Sequence, residues 1–115
     1  MIGRTNRFHG HGSLRRVYKD GVGVRGAHIG LKYLQRTNNK PYRAAVVISR
    51  KVHKSAVVRA RIRRRIYEII RTSKHTPPNT DMIFTIFSDS LANIETAKLT
   101  DMVESLLKKA SKTPN

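Results

Sequence analysis

Between Ser55 and about Thr72 the apolar positions repeat with a helical period. Val58, Ile62, Ile66, Ile69 and Ile70 fall within about 120° of arc at 100° per residue, which predicts an amphipathic helix with one buried stripe. Ala60, Arg64, Tyr67 and Arg71 cluster on the far side of that arc, which turns Tyr67 towards the surface. Arg59 projects into the stripe, and a place at the helix start, ahead of the core, accommodates it. A second stripe, Leu99, Met102, Val103, Leu106 and Ala110, predicts a last helix over about 94–110 with Asn93 as its N-cap. A short first helix is read from Ser13, as cap, through Lys19, with Leu14, Val17 and Tyr18 as its stripe and an end near Gly21.

Elsewhere the period shortens. Met82 to Phe87 is wholly apolar or Thr, Arg43 to Ser49 reads as a strand, and so, with imperfect alternation, does Ala27 to Gln35. Ala44 to Ile48 is apolar at every position, as in a strand covered on both faces. Glycines at 21, 23, 26 and 30 interrupt any helical pattern, while Thr37 to Pro41 and Thr76 to Thr80 supply turn residues. The elements run helix, strands, helix, strand, helix. A chain of 115 residues suits one domain, 1–115, with flexible ends at about 1–7 and 111–115.

Charge changes the picture. The net charge is +17, and it is carried by the first two-thirds: residues 1–74 hold 20 Lys or Arg against Asp20 and Glu68, whereas residues 75–115 hold 4 against 5 acids. That much like charge opposes compaction, which points to a polyanionic partner. No run approaches the roughly 18 apolar residues of a membrane-spanning helix, and Met1 to Phe8 has no apolar segment behind its basic residues, so the expectation is a cytoplasmic protein without a membrane role. With no cysteine there is no disulfide, thiol nucleophile or thiolate zinc site.

Between Arg50 and Lys74 ten basic side chains face Glu68 alone, whereas a merely solvated helical face interleaves acids with its bases. Arginine forks beside the free N–H groups of a helix start suit phosphate oxygens. The RNA-binding residues expected on this ground are Arg50, Lys51, Lys54, Arg59, Arg61, Arg63, Arg64, Arg65, Tyr67 and Arg71. Phe8, Tyr18 and Tyr67 could stack on unpaired bases. His9 and His11, spaced i, i+2 beside glycine, have no third ligand in any metal-site spacing, and the scattered acids form no pair for metal-assisted hydrolysis. No catalytic or metal-binding residue is expected.

The run Val46 to Glu68, VVISRKVHKSAVVRARIRRRIYE, resembles the signature of the bacterial ribonuclease P protein subunit: a strand ending in Ser-Lys-Lys, here Ser49-Arg50-Lys51, a short loop to Ala-Val, then Arg-Asn-Arg, here Arg59-Ala60-Arg61, and a basic helix. The likeness extends to Arg7 and Phe8, to Val17 and Tyr18 before Gly21, and in outline to the final strand and helix. It implies an α/β sandwich of the α+β class, like the second domain of a small-subunit ribosomal protein, in the order αβββαβα with a left-handed βαβ crossover. It further implies a non-catalytic subunit that binds ribonuclease P RNA one to one and holds the single-stranded 5′ leader of precursor tRNA in a cleft. Hydrolysis in the family rests with the catalytic RNA and Mg²⁺ bound mainly by it. Position by position, Arg59, Arg61, Arg63 and Arg64 match the basic motif, Arg50 and Lys51 its upstream pair, and Tyr18 an aromatic of the cleft. Arg65 and Tyr67 stand where the family varies more.

This sequence departs from the pattern in places. Ala60 replaces the motif's asparagine, Ser55 lengthens the loop, His53 replaces a usual glycine, and Leu14 and Lys32 stand where the cleft often has aromatic rings. The leader cleft expected here is therefore Phe8, Leu14, Tyr18 and Lys32, with more electrostatic and less stacking character. The rival reading is a ribosomal or other structural RNA-binding protein without nuclease association.

Overall fold

The computed structural model describes residues 6–8, 12–37 and 41–112. Along them run α1 (Gly12–Asp20), β1 (Val22–Arg25), β2 (Ile29–Gln35), β3 (Arg43–Val47), α2 (Ala56–Thr72), β4 (Thr80–Ile86), a 3-10 helix η1 (Asp89–Ala92) and α3 (Thr96–Lys112). The order αβββαβα is the one the resemblance implied. The four strands form one mixed sheet in the order β1-β2-β4-β3, antiparallel except for β3 and β4. Parallel neighbours cannot be joined by a tight turn, and α2 makes the crossover between these two.

Strand register sorts the side chains onto two faces. On one, Ile29, Leu31, Tyr33, Ala44, Val46, Met82, Phe84 and Ile86 join the α2 stripe (Ile62, Ile66, Ile69, Ile70) and the α3 residues Leu99, Val103, Leu106, Leu107 and Ala110 in a single core. On the other, α1 packs across β2 and β4, and Val17 and Ile83 are both buried there. Only the inner strand β4 is covered on both sides along nearly its whole length, which is why Met82 to Ile86 can be apolar almost throughout. The same expectation for Ala44 to Ile48 is reversed: β3 is an edge strand whose Ala44 and Val46 are buried while Val47 is exposed.

Other boundaries also move. β1 was hidden in the glycine-rich stretch, because a four-residue strand with two valines carries too little pattern; its pairing with β2 makes it a strand. β2 starts at Ile29 rather than Ala27. Ser13 lies inside α1 rather than capping it, and its hydroxyl accepts a hydrogen bond from Arg43 at 3.2 Å. Asn93 closes η1 instead of capping α3, which begins at Thr96 and continues to Lys112. Gly21 is required by space: a Cβ there would sit 2.4 Å from the carbonyl oxygen of Val17 and 2.9 Å from that of Tyr33. After Pro77 and Pro78 the chain enters β4 through Asn79 at φ 59°, a left-handed conformation that asparagine tolerates. The expected flexible ends at 1–5 and 113–115, residues 38–40 of the first turn, and His9 and His11 lie outside the described residues. Among those described, no helix is long and apolar enough to cross a membrane.

One buried charge joins the sheet's two halves. Asp81, 2% exposed, sits opposite Arg43 on β3 and accepts from its Nε at 2.8 Å and its Nη2 at 2.6 Å. Arg36, just beyond β2, approaches the same carboxylate at 3.3 Å. Burial lowers the Arg36 pKa from its ordinary value, and the Asp81 charge opposes that shift. Removing the carboxylate would strand two partly buried cations. Asp81→Ala is therefore expected to cost about 3 kcal/mol in urea denaturation. Val57→Ala, at an α2 position 77% exposed, should change stability by less than about 0.5 kcal/mol.

Candidate nucleic-acid interface

α2 begins at Ala56, close to where its period predicts, and the structure makes Ser55 its N-cap. The Ser55 hydroxyl accepts from the Val58 N–H at 3.3 Å, and its extended backbone turns the chain into the first helical turn. Ile62, Ile66, Ile69 and Ile70 point into the core, so the direction of every other α2 side chain follows from its angle to that stripe.

Seen this way, the arginines divide into two groups. Arg59 lies in the first turn, where its guanidinium donates at 2.9 Å to the carbonyls of both His53 and Lys54 and holds the preceding loop. Arg61 donates to Asn93 Oδ1 at 3.1 Å, and Arg65 donates to the carbonyls of Leu91, at 2.7 Å, and Ile94, tying η1 to α2. Arg71 is engaged by Glu68. Their hydrogen bond holds the carboxylate pKa below its ordinary value and raises that of the arginine. Arg63 and Arg64, with Arg50, Lys51 and Lys54 in the preceding turn, make no side-chain hydrogen bond or ion pair to a described residue. Their charges remain available to an outside partner.

Tyr67 corrects the sequence reading. Its ring packs against the core and its hydroxyl accepts from the Val46 N–H at 3.1 Å. The edge strand β3 needs a partner on that side, and Tyr67 supplies one, so the position on the far side of the arc is a strand contact and not a solvent-facing one.

A second surface lies on the α1 face of the sheet. Tyr18 is 47% exposed on α1, and its carbonyl accepts from Lys32 Nζ, which reaches up from β2. Leu14 is half-buried beside them. Phe8 is half-buried with its ring 5.3 Å from the Arg43 guanidinium. Sequence reasoning missed two residues of this face. The Arg25 guanidinium lies 4.3 Å above the ring of Phe87, and that exposed ring rests on Gly30, where a Cβ would come within 3.1 Å of it. No sequence signal connects positions 25, 30 and 87; the β1-β2-β4 register brings them together. The α2 turn and the Arg25–Phe87 corner of this surface lie at one end of the sheet, because Arg50 and Lys51 follow β3, Phe87 follows β4, and the two strands run parallel, whereas Phe8, on Arg43 at the start of β3, lies at the other. Among the described residues no group of three or more His, Asp or Glu is placed to hold a metal ion.

A four-stranded mixed sheet with a crossover helix bearing unpaired cations defines a basic α+β domain of the kind that contacts polyanions. The sequence profile of the Ribonuclease P family matches residues 2–111, and the chain belongs to that family. It is 35% identical over 71 residues to the ribonuclease P protein component of a Pseudanabaena strain, a match spanning 62% of this chain and 61% of that protein. Its fold is similar to that of the Staphylococcus aureus RNase P protein, with TM-score 0.79 at 22% identity, covering 93% of this chain and 96% of the other. It is similar also to the Thermotoga maritima RNase P protein, with TM-score 0.80 at 19% identity, covering 90% and 96%.

The division of arginines can be measured. Arg65→Ala, which frees the carbonyls of Leu91 and Ile94, should lower stability to urea by about 1–2 kcal/mol. Arg64→Ala should leave the unfolding free energy within about 0.5 kcal/mol of the parent.

Proposed function

We propose that this chain is the protein subunit of a ribonuclease P and promotes maturation of the tRNA 5′ end. In this reading it binds the catalytic RNA through the start of α2 and the 5′ leader of precursor tRNA through the α1 face of the sheet. The observation that carries the proposal is the cluster of unengaged cations, Arg50, Lys51, Lys54, Arg63 and Arg64, on a chain of this family. Phosphates of a folded RNA neutralise such a cluster and release counterions, which lowers the repulsion between two RNAs brought together. Tyr18 offers a flat surface for an unpaired base, and the Arg25 guanidinium lying on Phe87 offers a planar cation beside it, with Lys32 close by for the backbone of a single strand.

Mg²⁺ would supply the activated water, and it belongs with the RNA in this scheme, because the described acids of this chain are dispersed or already engaged by arginine. The chain's own work is binding and positioning, as a cytoplasmic one-to-one partner of its RNA. The structural RNA-binding alternative shares the α2 cations but has no use for an exposed Tyr18 and Phe87 on the opposite face.

Cleavage of a precursor tRNA at low Mg²⁺ by a cognate ribonuclease P RNA, with and without the protein, is the direct test. Stimulated cutting at the mature 5′ end is the expected result, and RNA binding without stimulation would favour the structural alternative. In the same assay Arg64→Ala should weaken binding to the RNA and reduce the slope of log affinity against log salt by about one. Tyr18→Ala should reduce the preference for precursor over mature tRNA by about tenfold, since stacking of one base on an aromatic ring is worth roughly 1–3 kcal/mol. Equal losses for both substrates would remove Tyr18 from the leader site.

A further inference from the structure

Between the start of α2 and η1 lies an open cavity of about 500 Å³, within the range of small-molecule sites. Its walls are braced by the engaged arginines. Arg59 holds the loop carrying His53, Arg65 holds both flanks of Ala92 and Asn93 through the Leu91 and Ile94 carbonyls, and Arg61 bridges to the Asn93 amide oxygen. Val58 and Ile94, both packed against the core, contribute apolar surface, and His53, Arg61, Asp89 and Asn93 contribute polar groups. The His53 Nδ1 accepts from the Ser55 N–H at 3.0 Å, so when the imidazole is neutral its proton is on Nε2.

Asp89 is the telling member. It is exposed, has no side-chain partner among the described residues, and lines a cavity beside the most basic stretch of the chain. A carboxylate facing RNA phosphates is repelled; one facing the N–H donors of a base edge is not. Guanine alone among the four bases presents two adjacent donors, N1–H and the N2 amine, on its Watson–Crick edge, and the two oxygens of one carboxylate can accept both. We propose that this cavity takes an unpaired guanine of the bound RNA, with Asp89 reading its edge, Val58 and Ile94 lying against the ring, and Arg61 beside its phosphate. The inference rests on the RNA-binding reading above and adds a base-specific contact to it.

Titrating the ¹⁵N-labelled full chain with GMP, AMP and inorganic phosphate isolates the cavity from the rest of the interface. GMP is expected to move the amide signals of Asp89 to Ile94 and the His53 imidazole at roughly tenfold lower concentration than AMP, as one bidentate base contact provides. Phosphate should leave the Asp89 and Ser90 amides unmoved, its effect confined to Arg61 and its partner Asn93. Asp89→Ala should bring GMP down to the AMP level with the remaining spectrum intact. Equal responses to GMP and AMP, or a GMP response that survives Asp89→Ala, would overturn the proposal. On the RNA subunit, Asp89→Ala should weaken binding about tenfold with the salt slope unchanged. Tighter binding of that variant would show that Asp89 merely repels phosphate, and would also sink the idea. The nucleotide titration needs no RNA subunit, so a failure of the tRNA-processing reading would be seen separately, as absent stimulation by the unmodified chain.

Discussion

Burial of Ile62, Ile66, Ile69 and Ile70 against the sheet is the interaction on which the rest of the molecule depends. α2 carries six arginines and one acid, a composition that repels itself and its surroundings. Each buried isoleucine contributes roughly 1.5–3 kcal/mol relative to exposure, and the four act along one stripe, so the helix stays docked with its charges outward. Docking also fixes rotation. Once the stripe faces the core, Arg61 and Arg65 must flank η1, Tyr67 must flank β3, and Arg64 must face away from the sheet.

That rotation turns a uniform-looking basic run into two kinds of residue. Arg59, Arg61 and Arg65 donate to loop carbonyls and to one amide, satisfying backbone groups that would otherwise lack partners near the helix. Arg63 and Arg64 make no side-chain hydrogen bond or ion pair to a described residue, nor do Arg50, Lys51 and Lys54 in the turn before them. A planar fork with five donors serves either role, which is why composition cannot tell them apart.

The sheet divides labour in a similar way. Its α2 and α3 face is a continuous apolar core, whereas its α1 face mixes the buried Val17 and Ile83 with the Asp81 ion pairs and an exposed stack of Arg25 on Phe87. A short helix covers only part of that face, and the part left open carries polar and aromatic groups. The parallel β3-β4 pair places the Arg25–Phe87 corner of this face and the α2 turn at the same end of the molecule, and the Asp81 ion pairs at the other.

The α2 stripe, the apolar β4 run and the basic first two-thirds were legible along the chain alone, because each is a local pattern whose physical meaning does not depend on distant residues. The family signature from Val46 to Glu68 was likewise legible as a contiguous string. Four features emerged from the folded molecule alone: Ala44 to Val47 forms an edge, Tyr67 serves β3, Asn93 holds Arg61 instead of capping α3, and Arg25 stacks on Phe87. Those outcomes turn on pairings between residues roughly twenty to sixty positions apart. Strand order and helix rotation create them, and no spacing along the chain records them.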